Sequence, residues 1–459
     1  MKSLKLTLAT AIAALAIPGV ADAATISYDG AGALSYQAAG GEKNYFSYYD
    51  EEGRLAISDS GPKTIDYPAD HCEEGYVSYV IVCDVPAAIN VSLDDDADIA
   101  NGNDEVALPL TVDGGAGDDV LRHDAFSTRP VTLTGGPGDD KLTGAEGTDT
   151  LSGGDGADEL DGNGAGDRLD GGAGNDKLLG DGYGADPAPD LIDGGPGSDS
   201  IESEWTKDHD STDPVSITLD RGADDGRAGE GDDVRGVEHL FTYINGTYVG
   251  SDGPDDIDVN QNTASSTVRG AGGDDRLDLS DGDDDVDGGD GADHIEGGYG
   301  HDHITGGPGR DVINGDEPTG ECSYIYCKPP FGNDTIDARD GEADQVDCGV
   351  GTDVANVDAV DVVSGDCETV NRPGIAVKIG KASLKRGFTI RVDGGTGNVT
   401  VTARQGSKVV ARARGVSGTT LRVKFSKTLK RTRKVSVTVV FTPGQGSPVT
   451  KRFNLKLKG

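Results

Sequence analysis

The residues best placed to do chemistry are aspartates that recur every nine positions, each two residues ahead of an aliphatic side chain and embedded in glycine. From Gly135 the chain reads GGPGDDKLT, GAEGTDTLS, GGDGADELD, GNGAGDRLD, GGAGNDKLL; from Gly270 it reads GAGGDDRLD, LSDGDDDVD, GGDGADHIE, GGYGHDHIT, GGPGRDVIN. Further copies start at Gly114, Gly194, Gly250 and Pro329. Position 6 is Asp in every copy: Asp119, Asp140, Asp149, Asp158, Asp167, Asp176 and Asp199, then Asp255, Asp275, Asp284, Asp293, Asp302, Asp311 and Asp334. Position 8 is Leu, Ile or Val throughout. Position 4 is Gly except in the copy at Gly162, where Ala165 stands. Glycine permits tight turns with exposed carbonyls. A carboxylate beside those carbonyls makes an oxygen-rich site, which suits a hard divalent cation, calcium above all.

Positioning such turns requires short strands. Position 8 falls in a strand and points inward. Three residues cannot bury a face alone, so successive coils must stack. Two nonamers make one coil, so copies i and i+2 share an edge and bring two acidic turns around one gap. A cation there offsets carboxylate repulsion that would otherwise oppose folding. The pattern resembles the repeats-in-toxin (RTX, hemolysin-type) calcium-binding family, consensus GGxGxDxUx. The copies at Gly114, Gly135, Gly153, Gly171, Gly194, Gly288, Gly297 and Gly306 match every fixed position. The resemblance covers roughly residues 110–340. It implies a parallel β-roll with Ca2+ between stacked turns and the position-6 aspartates as ligands.

The repeats fall in two arrays. Residues 135–202 and 270–337 each hold five nonamers, a 14-residue insertion (Gly180–Asp193, Gly315–Lys328) and one more nonamer. This arithmetic predicts two similar rolls, with 203–249 bridging them or capping the first. A degenerate repeat around Asp353, flanked by Cys348 and Cys367, predicts a disulfide-closed cap.

Charge divides the chain further. Residues 372–459 carry 21 Lys and Arg against one acid, Asp393, whereas 24–371 carry 17 against 80. That reversal marks a boundary near Arg372. The expected organisation is a signal peptide (1–23), a small N-terminal β domain (24–112), a first roll (113–202), the bridging or capping segment (203–249), a second roll with its cap (250–371) and a basic sandwich (373–459). The start has Lys2 and Lys5, an apolar Leu6–Ile17 stretch and Ala21-Asp22-Ala23, which reads as a secretory signal. Six cysteines in an exported chain suggest disulfides; of the roughly 15 possible arrangements the simplest is local pairing, Cys72 with Cys83, Cys322 with Cys327 and Cys348 with Cys367. A zinc site would want CxxC-type spacing with His nearby, and none is present. Seven strand-like runs from Ala376 to Leu457 suggest an immunoglobulin-like β-sandwich. Its basic face is a candidate for an anionic polymer, a cell-wall component or the protein's own acidic rolls. In the N-terminal region, Tyr45, Tyr48, Tyr49, Tyr76 and Tyr79 fit cross-strand packing better than a binding surface.

Several classes are disfavoured. A net charge of −42 over 459 residues repels nucleic acid, and no internal apolar run of 18 residues exists to span a membrane. HExxH, GxSxG and GxxxxGK[ST] are absent. His301 and His303 sit at variable repeat positions 5 and 7. The expectation is a secreted, all-β, non-enzymatic calcium-binding protein. A surface adhesin anchored by the basic sandwich is the alternative, and a polysaccharide-modifying enzyme on a roll surface the third reading.

Overall fold

The computed structural model describes residues 23–41, 43–60, 64–77, 79–102, 108–123, 127–181, 188–203, 215–219, 225–227, 231–260, 264–316, 332–372, 376–379, 388–393, 397–405, 407–416, 420–425, 434–443 and 449–455. No helix occurs among them. The architecture is a parallel β-solenoid. Each coil contributes a short strand to either of two faces, and equivalent strands of successive coils pair in parallel. In unbroken repeats the register advances by 18 residues, as in Lys141↔Glu159 and Thr150↔Arg168. Two nonamers therefore make a coil, as the period requires.

The core follows from position 8. Leu142, Leu160 and Leu178 pair across one face, Leu133, Leu151 and Leu169 across the other, each 0–1% exposed. In the second half Leu277, Ile295 and Ile313 continue the first row, while Val286, Ile304 and Ile336 form the opposing one. Each aliphatic side chain packs on its counterparts above and below, so one truncation opens a gap shared by three coils. Leu169→Ala is expected to cost about 2–5 kcal/mol, read by denaturant unfolding at saturating calcium; a cost below ~1 kcal/mol would mean the row is not close-packed.

The two arrays are not separate rolls. On one face a single run of paired strands passes from Ile99–Asn101 through Lys177–Asp181, Ser200–Ser203, His239–Thr242 and Asp256–Val259 to Val362–Val363. The 203–249 segment is a bridge, because His239–Thr242 pairs with the last strand of the first array and the first of the second. On the other face the sheet changes. The first array's sheet ends at Asp233–Arg235, and a new nine-stranded sheet begins around Val215–Thr218.

The N-terminal residues also join the solenoid. Leu34–Gln37 pairs in parallel with Ile89–Ser92, and Tyr45–Ser47 with Ile99–Asn101. One hydrophobic cluster accordingly runs from Ala24 to Cys367. Antiparallel strands such as Arg54–Asp59 and Val80–Cys83 then close this end, where parallel stacking stops. Tyr36, Phe46 and Tyr48 cover the end of the core, and the Tyr36 hydroxyl donates to Asp59 Oδ2 at 2.5 Å. Of the other tyrosines, Tyr49 packs on Ala56, Val80 and Val82, whereas Tyr45, Tyr76 and Tyr79 are exposed.

Cys72–Cys83 and Cys348–Cys367 are disulfide-bonded. Cys322 and Cys327 lie outside the described residues, as does the stretch read as a signal, apart from Ala23. The basic segment forms two antiparallel sheets of three and four strands around a second core that includes Phe388, Ile390, Val401, Val437 and Phe441. Its seven strands coincide closely with the seven runs read from the sequence.

Candidate calcium edges

The turns between strands line the two edges of the solenoid, and position 6 lies inside them. All fourteen predicted aspartates are buried, none more than 4% exposed. They stack in rows. The backbone N–H of each aspartate donates to Oδ1 of its counterpart one coil on. On the first edge this links Asp98 to Asp119 (2.7 Å), Asp119 to Asp140 (2.7 Å), Asp140 to Asp158 (2.8 Å), Asp158 to Asp176 (2.8 Å) and Asp176 to Asp199 (2.8 Å). The opposite edge links Asp149, Asp167, Asp190 and Asp232. In the second half one row runs Asp255, Asp275, Asp293, Asp311, Asp344. The other runs Asp284, Asp302, Asp334, Asp353. Two rows end on a glutamate: Asp199 N–H donates to Glu238 Oε2 at 2.9 Å, and Asp353 N–H to Glu368 Oε2 at 3.0 Å.

The second carboxylate oxygen has no such partner. Oδ2 of Asp119, Asp140, Asp158, Asp176, Asp199, Asp275, Asp293, Asp302, Asp311, Asp334, Asp344 and Asp353 is buried and accepts no hydrogen bond. In the copies starting at Gly114, Gly135, Gly153, Gly171, Gly194, Gly270, Gly288, Gly297 and Gly306 it faces the position-1 glycine of its own repeat. A Cβ at Gly171 would stand 2.5 Å from Asp176 Oδ2 and 2.6 Å from the carbonyl oxygen of Gly194 in the next coil. Positions 2 and 4 are equally tight. Gly154 has φ +123°, and a Cβ there would overlap the Gly136 carbonyl oxygen one coil away. Glycine thus serves both the backbone conformation and the close stacking of carbonyl-bearing turns. Gly154→Ala should cost about 2–4 kcal/mol, from positive-φ strain plus displaced backbone. Gly341→Ala, at φ +97° with open space around it, should cost only the ~1–2 kcal/mol of strain. Equal costs in denaturant unfolding would rule out the packing argument.

Burial and mutual repulsion show in the acidities. Burial, reinforced by neighbouring carboxylates, pushes Asp119, Asp158, Asp275, Asp311 and Asp334 up to about 7 against backbone N–H groups that pull the other way. Asp302, surrounded by Asp334, Asp284 and Asp316, goes up to about 9. A desolvated carboxylate with one orphaned oxygen, repeated at a coil spacing of ~4.8 Å, needs compensating positive charge. The edges fit calcium on these observations: anionic oxygen from position 6, neutral oxygen from turn carbonyls, and room kept by glycine. Among the described residues no three acidic side chains converge on one point, so backbone carbonyls must supply most ligands. His301 and His303 take no part in such a site; His301 Nδ1 accepts the Asn333 N–H at 2.8 Å across coils.

The structure adds row members that the nonamer frame passed over. Asp98, Asp190, Asp232, Asp344 and Asp361 are all buried in position-6 places. Each lies two residues before Ala, Ile or Val, and that spacing was the available signal. Asp190 also revises the first insertion. Gly180 is its position 1, since a Cβ there would meet Asp190 Oδ2. Gly180 and Asp190 therefore play positions 1 and 6 of one repeat. The second insertion instead separates Gly315 from Asp334, which play positions 1 and 6 of one repeat.

A parallel β-solenoid edged by stacked aspartate turns defines the class. The model of the RTX calcium-binding nonapeptide repeat (4 copies) matches residues 111–127, 132–160, 161–182, 262–295 and 287–317. Those matched stretches are accordingly RTX calcium-binding repeats. No curated protein matches the chain.

Proposed function

We propose that the protein is a secreted, non-enzymatic calcium-binding scaffold whose solenoid folds when several Ca2+ ions occupy its edges. The observation that carries this reading is the row of buried position-6 carboxylates, such as Asp158 and Asp176, with Oδ1 accepting the N–H of the preceding coil and Oδ2 buried without a hydrogen-bond partner. Asp119, Asp140, Asp149, Asp158, Asp167, Asp176 and Asp199, with Asp255, Asp275, Asp284, Asp293, Asp302, Asp311 and Asp334, are the assigned side-chain ligands. Bound calcium would supply positive charge beside these carboxylates. Every other part of the device belongs to the chain. Glycines let turns approach, aliphatic rows hold the register, and backbone N–H groups orient the carboxylates.

Export fits this mechanism. The apolar N-terminal stretch, the two disulfides and the acidic repeats support a chain that stays expanded at low cytosolic calcium and folds outside, where affinities of ~10⁻⁴–10⁻³ M suffice. The basic 373–459 segment is proposed to be a separate domain.

Equilibrium dialysis of the full mature chain against calcium tests the reading. Several ions per chain are expected, with the count falling when position-6 aspartates are replaced. A count indistinguishable from zero at millimolar calcium would overturn it.

A further inference from the structure

Two position-6 aspartates differ from their neighbours in what Oδ2 does. Asp149 Oδ2 accepts the Ala145 N–H at 2.7 Å, while its Oδ1 accepts the Val131 N–H at 2.8 Å. Asp255 Oδ2 accepts the Ser251 N–H at 2.6 Å and the Ser251 hydroxyl at 3.1 Å. In both turns the N–H comes from position 2 of the aspartate's own nonamer.

The backbone at position 2 separates these turns from the rest. Every unbroken nonamer with an orphaned Oδ2 has positive φ there, whether the residue is glycine, as in Gly115 (φ +101°) and Gly172 (φ +103°), or not, as in Asn163 (φ +72°) and Ala271 (φ +73°). Ala145 and Ser251 have no positive φ, the region that a Cβ resists. The position-2 N–H differs accordingly. That of Gly115 donates to the Gly135 carbonyl and that of Gly172 to the Gly194 carbonyl, position 1 of the next coil in each case. Those of Ala145 and Ser251 turn back on their own carboxylate. Both aspartates also head their rows: the position-6 place of the coil before holds Val131 for Asp149 and Glu238 for Asp255.

We propose that the turns ending at Asp149 and Asp255 are latched: the position-2 N–H occupies the carboxylate oxygen that the other turns leave open, so these two turns take calcium last. A hydrogen bond to a carboxylate is among the stronger kinds, and a cation must compete with the N–H for the same oxygen. The latch also satisfies these two row ends where no aspartate stands in the coil before. The proposal rests on the reading that the edges bind calcium.

The test is a calcium-binding isotherm of the full chain beside its Asp149→Asn and Asp158→Asn variants. Asp158→Asn, which removes an open anionic ligand, is expected to weaken an early step by about tenfold or more. Asp149→Asn should superimpose on the parent through the early steps and depart, if at all, only in the last. An Asp149→Asn isotherm that loses an early step as Asp158→Asn does would overturn the proposal while leaving calcium binding intact. If the parent binds no calcium, the failure lies with the proposed function. Should either variant not fold, the carboxyl carbon NMR shifts of the unaltered chain decide: those of Asp149 and Asp255 should still be moving at calcium concentrations where those of Asp158 and Asp176 have stopped. Four signals that complete together would overturn the proposal.

Discussion

Stripped of calcium at pH 7.5, the solenoid is expected to lose most of its β signal in far-UV circular dichroism, and to regain much of it on acidification to about pH 5 without calcium. The sign follows from the acidities. The buried aspartates have folded values raised well above their ordinary carboxylate range, to about 6 for Asp149 and Asp255 and about 7 for Asp119, Asp158, Asp275 and Asp311. An unfolded chain releases these protons near pH 4; the folded, cation-free chain holds them until pH 6–7. Between those limits the folded state binds more protons, so its stability falls as pH rises. Below about pH 4 both states are protonated and the penalty vanishes. Above pH 7 it is complete, and the acidic excess of residues 24–371 adds repulsion of the same sign. Calcium substitutes for those protons at neutral pH, so binding should release protons measurably in weakly buffered solution. A chelated chain with full β signal at pH 7.5, unchanged down to pH 5, would contradict the account.

Asp293→Asn with Asp311→Asn should change sign with the metal. The amide keeps the shape, and its oxygen can still accept the N–H of the preceding coil, as Asp311 Oδ1 now accepts that of Asp293 at 3.1 Å. With saturating calcium the variant loses anionic ligands and should be less stable, on the order of 2 kcal/mol per site. In chelator at pH 7.5 it loses two buried, mutually repelling charges and should be more stable than the parent. A merely structural role for these residues would make both conditions destabilising. Parallel thermal melts with calcium and with chelator separate the two cases.

Much of this was legible in the sequence because the repeat is a list of steric and chemical demands. Position 8 must be aliphatic to build the rows of Leu160 and Ile295; position 6 must be Asp to form the ladders. Two things were hidden. Glycine marks a need for positive φ, and other residues can meet it. In the turn ending at Asp98, Asp94 and Asp96 take φ +82° and +76° where the consensus has glycine, so a coil without the signature was missed. The continuity of the arrays was hidden too, because pairing of His239–Thr242 with strands on both sides depends on backbone register, which the irregular 203–249 sequence does not advertise. The equal length of the two insertions suggested equivalent features. Asp190 filling a position-6 place, and Asp334 completing the repeat begun at Gly315, show that they differ.

The most direct test is the thermal unfolding midpoint of the full chain across a calcium series at constant pH. If ions bind the folded edges and not the unfolded chain, the midpoint must climb steadily with the logarithm of calcium concentration, more steeply the more ions are released on unfolding. A climb continuing through the millimolar range, abolished by chelator, is the predicted result. A midpoint that stays flat from chelator to saturating calcium would show that the solenoid stands without the metal, and the central claim would fail.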